Sequence, residues 1–359
     1  MNRLQDPIVM FRCDGGNLPE TGTGHIRRCL NLALHLRNHY GIDSRFIIRD
    51  LDGEPPQVLK HRFAVHLLPP VSEWEPLATR IVQRVSPRVV VVDMLSGGGK
   101  FLKMLRSEAL DLKTITMDDR GEGLKYAMFS INAILETSEA TFCGPDYAII
   151  SSSSECPLVP RAKVEEVLLC FGGYDHNGLT VKALKSIVGM GKCLNVTALI
   201  GSAFHNENEL LDLAASGKIG RFDIIKETSN IGFFLKRADI GIVSGGLTLF
   251  EAMHCGLPTM ALCQYEHQVA TSARYQKEGA VVNLGLGTRI DRSRIGGELE
   301  SLIDDYPRRA ALSKRAAELV DGKGLQRVAE IINAITKDNM IPAEVNIPRT
   351  KTIKVCSSI

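Results

Sequence analysis

A chain of 359 residues is longer than one ordinary domain and suits two domains of α/β size. Its composition, 44% hydrophobic and 23% charged with 6% aromatics, excludes disordered, collagenous and disulfide-scaffold proteins. A formal net charge of +2, from 43 basic and 41 acidic residues, argues against a dedicated nucleic-acid binder.

At the N-terminus an apolar stretch of about four residues is interrupted by Arg12, which is shorter than the roughly 7–15 residues of a signal-peptide core. No uncharged apolar run approaches the roughly 20 residues of a membrane helix, so no membrane insertion is expected. Strand-like runs then alternate with amphipathic helices. The predicted strands are Pro7–Cys13, Ser44–Arg49, Arg88–Asp93, Lys113–Met117, Ser130–Leu135, Glu166–Phe171, Asn195–Ile200, Asp223–Lys226, Asp239–Ser244 and Thr259–Cys263. Predicted helices include Gly24–Asn38, Leu77–Val85, Lys100–Glu108, Gly178–Val188, Glu207–Ser216 and Arg308–Val320. Most strands are continuous apolar runs, such as VVVVD at 89–93, as strands buried on both faces are. Repeated βα alternation therefore predicts an α/β fold of two doubly wound, Rossmann-like parallel-sheet domains. The run SSSSECPLVP at 151–160 reads as an interdomain linker. It divides the chain into residues 1–158 and 159–336, with a polar C-terminal tail over 337–359.

Three glycine loops follow predicted strands. The first, RCDGG from Arg12 followed by GTGHIRRC over 22–29, places His25 in the opening turn of a helix whose apolar residues Ile26, Cys29, Leu30, Ala33 and Leu36 share one face. Helix-start dipoles disfavour added positive charge, which keeps an imidazole neutral and able to accept a proton. A surface or capping histidine is the competing reading. His35 and His39, further along, read as ordinary surface residues. The loop lacks the third glycine of a dinucleotide fingerprint.

The second loop, Ser244-Gly-Gly-Leu-Thr-Leu-Phe-Glu251, joins a strand to a short helix closed by Gly256 and Pro258. Paired glycines allow close backbone approach, and a helix start offers free N–H groups, together a cradle for a phosphate or diphosphate. Glu251 is placed to accept hydrogen bonds from ribose hydroxyls, or is a plain helix glutamate. A tight βα turn is the alternative use of the glycines. The third loop, Phe171-Gly-Gly-Tyr-Asp-His-Asn-Gly178, ends a strand at the same predicted sheet edge. There Asp175 and His176 are either ligand contacts or helix-start residues. A fourth run, Ser96-Gly-Gly-Gly-Lys-Phe101, imitates a phosphate loop but lacks the Ser or Thr after Lys100 and the leading glycine, so an NTPase is not expected. The nine cysteines form no C-x-x-C pair, and several lie in apolar runs. No metal or other cofactor is expected, and scattered thiols fit a reducing cytoplasm.

The segment SGGLTLFEAMHCGLP followed by Tyr265-Glu-His-Gln268 is similar to the donor site of the MurG transferases. The stretches RCDGG…GTGHIRRCLNLA, TMDDRGEG over 116–123, Gly144-Pro-Asp-Tyr-Ala148 and VLLCFGGYDHNGLTVKAL resemble, in the same order, the PseG family of UDP-2,4-diacetamido-2,4,6-trideoxy-β-L-altropyranose hydrolases and its SpsG-like relatives. The resemblance covers roughly residues 8 to 285. It implies a GT-B fold, two Rossmann-like domains facing across a cleft, and a UDP-sugar as the small-molecule partner.

By that resemblance His25 deprotonates the water that attacks the anomeric carbon, and Asp14 holds sugar polar groups beside it. Gly22, Gly24 and Arg28 of the first loop, and Gly172, Gly173 and Asp175 of the third, fall among the substrate contacts. Gly245, Gly246, Leu247 and Thr248 present N–H groups to the diphosphate, Glu251 binds the ribose, and Glu266, His267 and Gln268 reach the sugar or phosphates. The chain departs from the family at Leu247, where a serine is usual, at His267, where an asparagine is usual, and over Ser151–Glu155. These positions bear on which sugar is taken. An inverting glycosyltransferase, in which His25 activates an acceptor hydroxyl, and a non-catalytic nucleotide-sugar-binding protein are the alternatives. A UDP-sugar 2-epimerase is disfavoured because the Gly-x-x-Glu-Glu continuation is absent after Gly246.

Overall fold

A computed structural model describes residues 7–15, 24–49, 62–108, 112–134, 139–150, 159–201, 204–228 and 230–338. The chain divides into two units, one made of residues 1–149 and 323–359, the other of residues 150–322.

In the first unit the strands are β1 (Ile8–Cys13), β2 (Asp43–Arg49), β3 (Ala64–Leu68), β4 (Val89–Asp93), β5 (Lys113–Met117), β6 (Phe129–Asn132) and β7 (Phe142–Cys143). Helices α1 (Gly24–Tyr40), α2 (Glu75–Val85), α3 (Gly98–Ser107) and the single turn α4 (Gly123–Tyr126) intervene. Among the described residues these strands form one parallel sheet in the order β3-β2-β1-β4-β5-β6-β7. The order reverses between β1 and β4, and the register there sets Cys13 opposite Asp93. Every residue of VVVVD is buried, as a central strand covered on both faces requires. One face packs Met10, Val90, Val92, Phe101 and Leu102 around Trp74.

The second unit repeats the topology with β8 (Glu166–Cys170), β9 (Asn195–Ile200), β10 (Phe222–Lys226), β11 (Ile240–Val243), β12 (Thr259–Cys263) and β13 (Val282–Leu286). Its helices are α5 (Leu179–Gly189), α6 (Glu207–Ser216), α7 (Ile231–Arg237), α8 (Leu247–His254), α9 (Glu266–Lys277), α10 (Arg292–Asp304) and α11 (Tyr306–Leu319). The sheet order is β10-β9-β8-β11-β12-β13, all parallel, with the reversal between β8 and β11. Arg309 is fully buried in this unit and donates to the carbonyls of Leu302, Ile303, Arg161 and Ala162 at 2.6–3.0 Å. Its charge is thus dispersed over backbone dipoles rather than set against a carboxylate.

Ten strands match the sequence expectation, whereas β3, β7 and β13 were not foreseen. β3 lies at a sheet edge and mixes exposed with buried positions, and β7 is only two residues long, so neither carries a buried apolar run. In β13, Gly285 interrupts the pattern where the pairing with β12 shifts register. The expected boundary also moves. The Ser-rich stretch 151–158 lies outside the described residues, but the division falls at Ile149/Ile150, and helix α12 (Gly324–Thr336) returns to the first unit instead of closing the second. There α12 packs on α1, on the 3₁₀ turn Pro145–Tyr147 and on β4. Its apolar face, Val328, Ile331, Ile332 and Ile335, announces a core but not which one. Gly324 is required at the return, because a Cβ there would lie 2.2 Å from the Ala148 carbonyl oxygen. The opening of the expected tail is held too: the Asp338 carboxylate accepts from Arg88 Nη2 at 2.6 Å and from Lys113 Nζ.

Placing α12 in the first core predicts where a cavity is felt. Ile332→Ala, at a fully buried position, is expected to cost about 2–5 kcal/mol. Hydrogen exchange is expected to speed up in the amides of β1 and β4 and to stay unchanged in β8 and β11. Equal acceleration in both sheets would contradict the assignment.

Candidate active site

In the first unit, polar side chains converge where the sheet order reverses, the place where open α/β sheets bind ligands. β4 delivers Asp93, its last residue, at the C-terminal edge, and α1 presents His25 in its first turn with Arg28 and Cys29 one turn on. Asp93 is completely buried and accepts four hydrogen bonds. His25 Nδ1 donates to Oδ1 at 2.6 Å, Arg28 Nε donates to Oδ2 at 2.5 Å, Arg28 Nη2 also reaches Oδ1, and the Cys29 thiol donates to Oδ2 at 3.3 Å. An ionised carboxylate only accepts, so the proton of a neutral His25 sits on Nδ1 and the Nε2 lone pair is left to act as a base. His25 keeps 17% side-chain exposure while Asp93 has none, so the ring has an open side and its anchor does not.

Burial by itself would raise the Asp93 pKa. The charges and hydrogen bonds of Arg28 and His25 outweigh it and hold the carboxyl far below the usual range. Arg28 is likewise buried, and its remaining fork arm, Nη1, binds Asp118, so two carboxylates raise its pKa against the cost of burial. Burial pushes the Cys29 thiol well up, which keeps it a protonated donor.

Asp14, at the end of β1, lies beside this cluster with both oxygens engaged. Arg12 Nη1 and Nη2 donate to it at 2.5 and 2.9 Å, and Arg49 donates from its backbone N–H at 3.0 Å and from Nε at 2.7 Å. Burial raises its pKa, but the two arginines more than offset this and lower it. Arg12 is fully buried, with its guanidinium 4.0 Å from the centre of the Trp74 ring. Asp14, which the resemblance names as a sugar contact, and Arg28, which it places among the substrate contacts, are thus both engaged by protein groups. Gly24 opens α1 beside His25, and Gly22 lies outside the described residues. The imitation phosphate loop proves to be a packing device: a Cβ on Gly98 would lie 2.9 Å from Val92 and one on Gly99 2.8 Å from Glu122, while Lys100 approaches Glu75 at 3.6 Å.

In the second unit β8, β11 and β12 run parallel, with Val243 opposite Cys170 and Ala261, so the loops after Cys170, Val243 and Cys263 leave the sheet at one edge. Gly245 and Gly246 run into α8, whose cap, Gly246, has no side chain to bond the N–H groups of the first turn. The two glycines sit against α9. A Cβ on Gly245 would lie 2.7 Å from the Gln268 carbonyl oxygen, which leaves no room for any other residue. Leu247 and Thr248 open α8, and Glu251, 9% exposed, follows one turn later. In the third loop Gly172 takes a positive φ of 88° and Gly173 packs its carbonyl against Gly201.

Asp175 serves the helix start: it accepts from the N–H groups of Leu179 at 2.8 Å and Thr180 at 2.7 Å, and from Gln264 Nε2 at 2.6 Å. Asn177 donates to the Gln264 carbonyl at 3.0 Å, and Gln268 Oε1 accepts from the Gln264 N–H at 2.8 Å, which ties the third loop to α9. His176 stacks on Tyr174 and His267 on Tyr265, while Glu266 pairs with Arg289 at 2.7 Å. Sequence reasoning passed over Asp93, Asp118, Asn177 and Gln264. Asp93 had a visible signal, an acid closing an all-valine strand, and Asp118 opens the Asp-Asp pair after β5. Among the described residues no group of three or more His, Cys, Asp and Glu side chains is arranged to hold a metal ion, and no helix is long and apolar enough to cross a membrane. His35 and His39, one turn apart on α1, stack with ring centres 4.1 Å apart.

No protein-family model matches the chain. The spore coat polysaccharide biosynthesis protein SpsG of Bacillus subtilis is 27% identical over 336 residues, 89% of this chain and 96% of that protein. The uncharacterized protein MJ1062 of Methanocaldococcus jannaschii is 28% identical over 269 residues, and the match covers 69% of this chain but only 54% of that longer protein. Among solved structures, MurG of Acinetobacter baumannii superposes with a TM-score of 0.68 at 13% identity, over 91% of this chain and 99% of its own. The rhamnosyltransferase SpnG in complex with thymidine diphosphate gives 0.61 at 14% identity, over 91% and 100%. The MnaA–UDP complex of S. aureus gives 0.62 at 11% identity, over 94% and 98%. The chain has the GT-B fold, with two Rossmann-like parallel-sheet domains.

The charge cluster sets a stability profile. A carboxylate whose folded pKa is lowered stabilises the protein fully above its unfolded pKa of about 3.9, and the contribution is lost as pH falls below that toward the folded value. Protection of the β1 and β4 amides is therefore expected to hold level from neutrality down to about pH 4 and to fall beneath it. Asp93→Asn, which leaves buried Arg28 one carboxylate short, is expected to cost about 3–5 kcal/mol at pH 7. Urea unfolding followed by Trp74 fluorescence measures it, and a cost within error of zero would contradict the buried network.

Proposed function

We propose that this protein is a nucleotide-sugar hydrolase that cleaves a UDP-linked amino or deoxy sugar to UDP and free sugar. The observation that carries the reading is the His25–Asp93 pair, an imidazole held by a buried carboxylate at Nδ1 with Nε2 left as the base. The resemblance of the loop motifs to PseG-like hydrolases and the similarity to SpsG support it. They also support a place in nonulosonic acid or surface polysaccharide biosynthesis and, with the absence of a membrane-crossing helix among the described residues, a cytoplasmic setting.

The chemistry asks little else of the protein. His25 Nε2 takes a proton from water as the water oxygen bonds to the anomeric carbon. The bond from that carbon to the β-phosphate oxygen breaks, and its electron pair leaves with UDP. The imidazolium formed is stabilised by Asp93 through the Nδ1 hydrogen bond, and its proton then passes to solvent. Gly245, Gly246, Leu247 and Thr248 offer backbone N–H groups to the diphosphate, where they stabilise the leaving charge without a metal. Glu251 takes the ribose hydroxyls. Glu266, His267 and Gln268 reach the sugar or the phosphates. Arg28 and Asp14, whose charges are engaged within the protein, shape the base's surroundings.

Incubation with UDP-2,4-diacetamido-sugars in ¹⁸O-water, without acceptor, tests the reaction. Label is expected at the anomeric oxygen of the released sugar. Label in UDP would mean attack at phosphorus, and turnover only after an acceptor alcohol is added would make the protein a transferase. His25→Ala is expected to slow release about 10²–10⁴-fold while leaving UDP affinity unchanged. Gly245→Ala, whose Cβ meets Gln268, is expected to lose UDP binding in titration calorimetry with the first unit's stability intact. UDP affinity equal to wild type in that variant would remove the glycine loop from the nucleotide site.

A further inference from the structure

The mechanism uses one carboxylate of the buried cluster and leaves another unexplained. Asp118 follows β5 with a positive φ of 46°, a conformation that non-glycine residues take at a cost and that Asp and Asn tolerate best. It is 1% exposed and held on three sides. Its N–H donates to the Ile131 carbonyl at 2.9 Å, its Oδ1 accepts from the Ile134 N–H at 2.9 Å, and its Oδ2 takes the Nη1 arm of Arg28. The neighbouring Asp119 turns away to accept from the Gly121 N–H at 2.6 Å and the Thr116 hydroxyl at 3.0 Å, so only one acid of the Asp-Asp pair reaches the cluster. The turn conformation and these bonds together fix the direction of one buried carboxylate toward Arg28.

We propose that Asp118 is a positioning residue that neutralises Arg28, so that the negative charge of Asp93 remains available to His25. The charge count carries the argument. Arg28 lies on both oxygens of Asp93, and this pair alone is neutral, which would leave His25 bonded to a carboxylate already satisfied. Adding Asp118 returns the buried set to a net charge of −1. An imidazolium forming at His25 then meets an anion inside the protein, where such charges are weakly screened. Arg28 keeps the carboxylate rigid, and Asp118 offsets the electrostatic cost of that rigidity. The effect on turnover rests on the base role of His25; the charge relation does not.

The test needs no substrate. In the full chain with ¹⁵N-labelled histidine, the Nδ1 proton of His25, identified by its loss in His25→Gln, is expected far downfield because of the 2.6 Å bond to Asp93. Asp118→Asn keeps the backbone conformation and removes the charge. It is expected to move that resonance upfield and to raise the share of the Nε2–H tautomer. The double variant Arg28→Met/Asp118→Asn restores the net charge of −1 and is expected to bring the resonance back toward wild type. A purely structural role would make the double variant at least as disturbed as the single one. No shift in Asp118→Asn, or a larger one in the double variant, would overturn the proposal. If Asp118→Asn does not fold, Asp118→Gly, which accepts a positive φ without strain, replaces it in both arms. In UDP-sugar hydrolysis kcat is expected to fall roughly 10–100-fold in Asp118→Asn, with KM within about twofold. Absence of turnover in the wild type counts against the hydrolase reading and leaves the resonance comparison to decide the role of Asp118.

Discussion

The buried Asp93 carboxylate is the constraint on which the first unit's chemistry depends. A charge at the end of a fully buried strand is sustained only by partners on other elements, and α1 supplies two of them within one turn. Arg28 binds both oxygens, and His25 caps one of them from the more open side. The start of α1, the end of β4 and the turn after β5 are thereby fixed relative to one another by hydrogen bonds rather than by apolar contact. That gives the imidazole one tautomer and one direction, which is what a base needs and what a loop histidine lacks. The same bonds tie stability to function in this region, since a change that frees the base also leaves a buried guanidinium with one of its two carboxylates missing.

Much of this was legible in the sequence where the signal is local. His25 in a helix start, the Gly245–Gly246 loop and the alternation that builds two doubly wound sheets are all patterns within a dozen residues. Asp93 and Asp118 are different, because their partners lie 68 and 90 positions away and the contact exists only once the β1–β4 register is set. The same limit explains α12. Its apolar stripe is plain, but which sheet it covers depends on the fold as a whole and on Gly324 meeting the backbone at Ala148. Asp14 and Asp175 show the converse. The resemblance named both among the substrate contacts, and their oxygens are engaged within the protein, by two arginines in one case and by the α5 N-terminus and Gln264 in the other.

The two units share a strand order yet fill the same topological position with different materials. At the β1–β4 reversal the chain gathers Arg12, Asp14, Arg28, Asp93 and Asp118, all at or below 4% exposure, in paired charges that leave a single imidazole with an open side. At the β8–β11 reversal it gathers glycines, and the polar side chains there, Asp175, Asn177, Gln264 and Gln268, serve to pin loops to one another. The first arrangement suits proton transfer, because a paired and buried carboxylate can stabilise a transient cation. The second suits an anionic ligand, because backbone N–H groups at a helix start present positive potential without a titrating group. A formal charge of +2 over 359 residues is in keeping with that division of labour as proposed. On the proposed reading the anion is met by amides and the base by a buried set of net charge −1, so neither task calls for an excess of lysine and arginine.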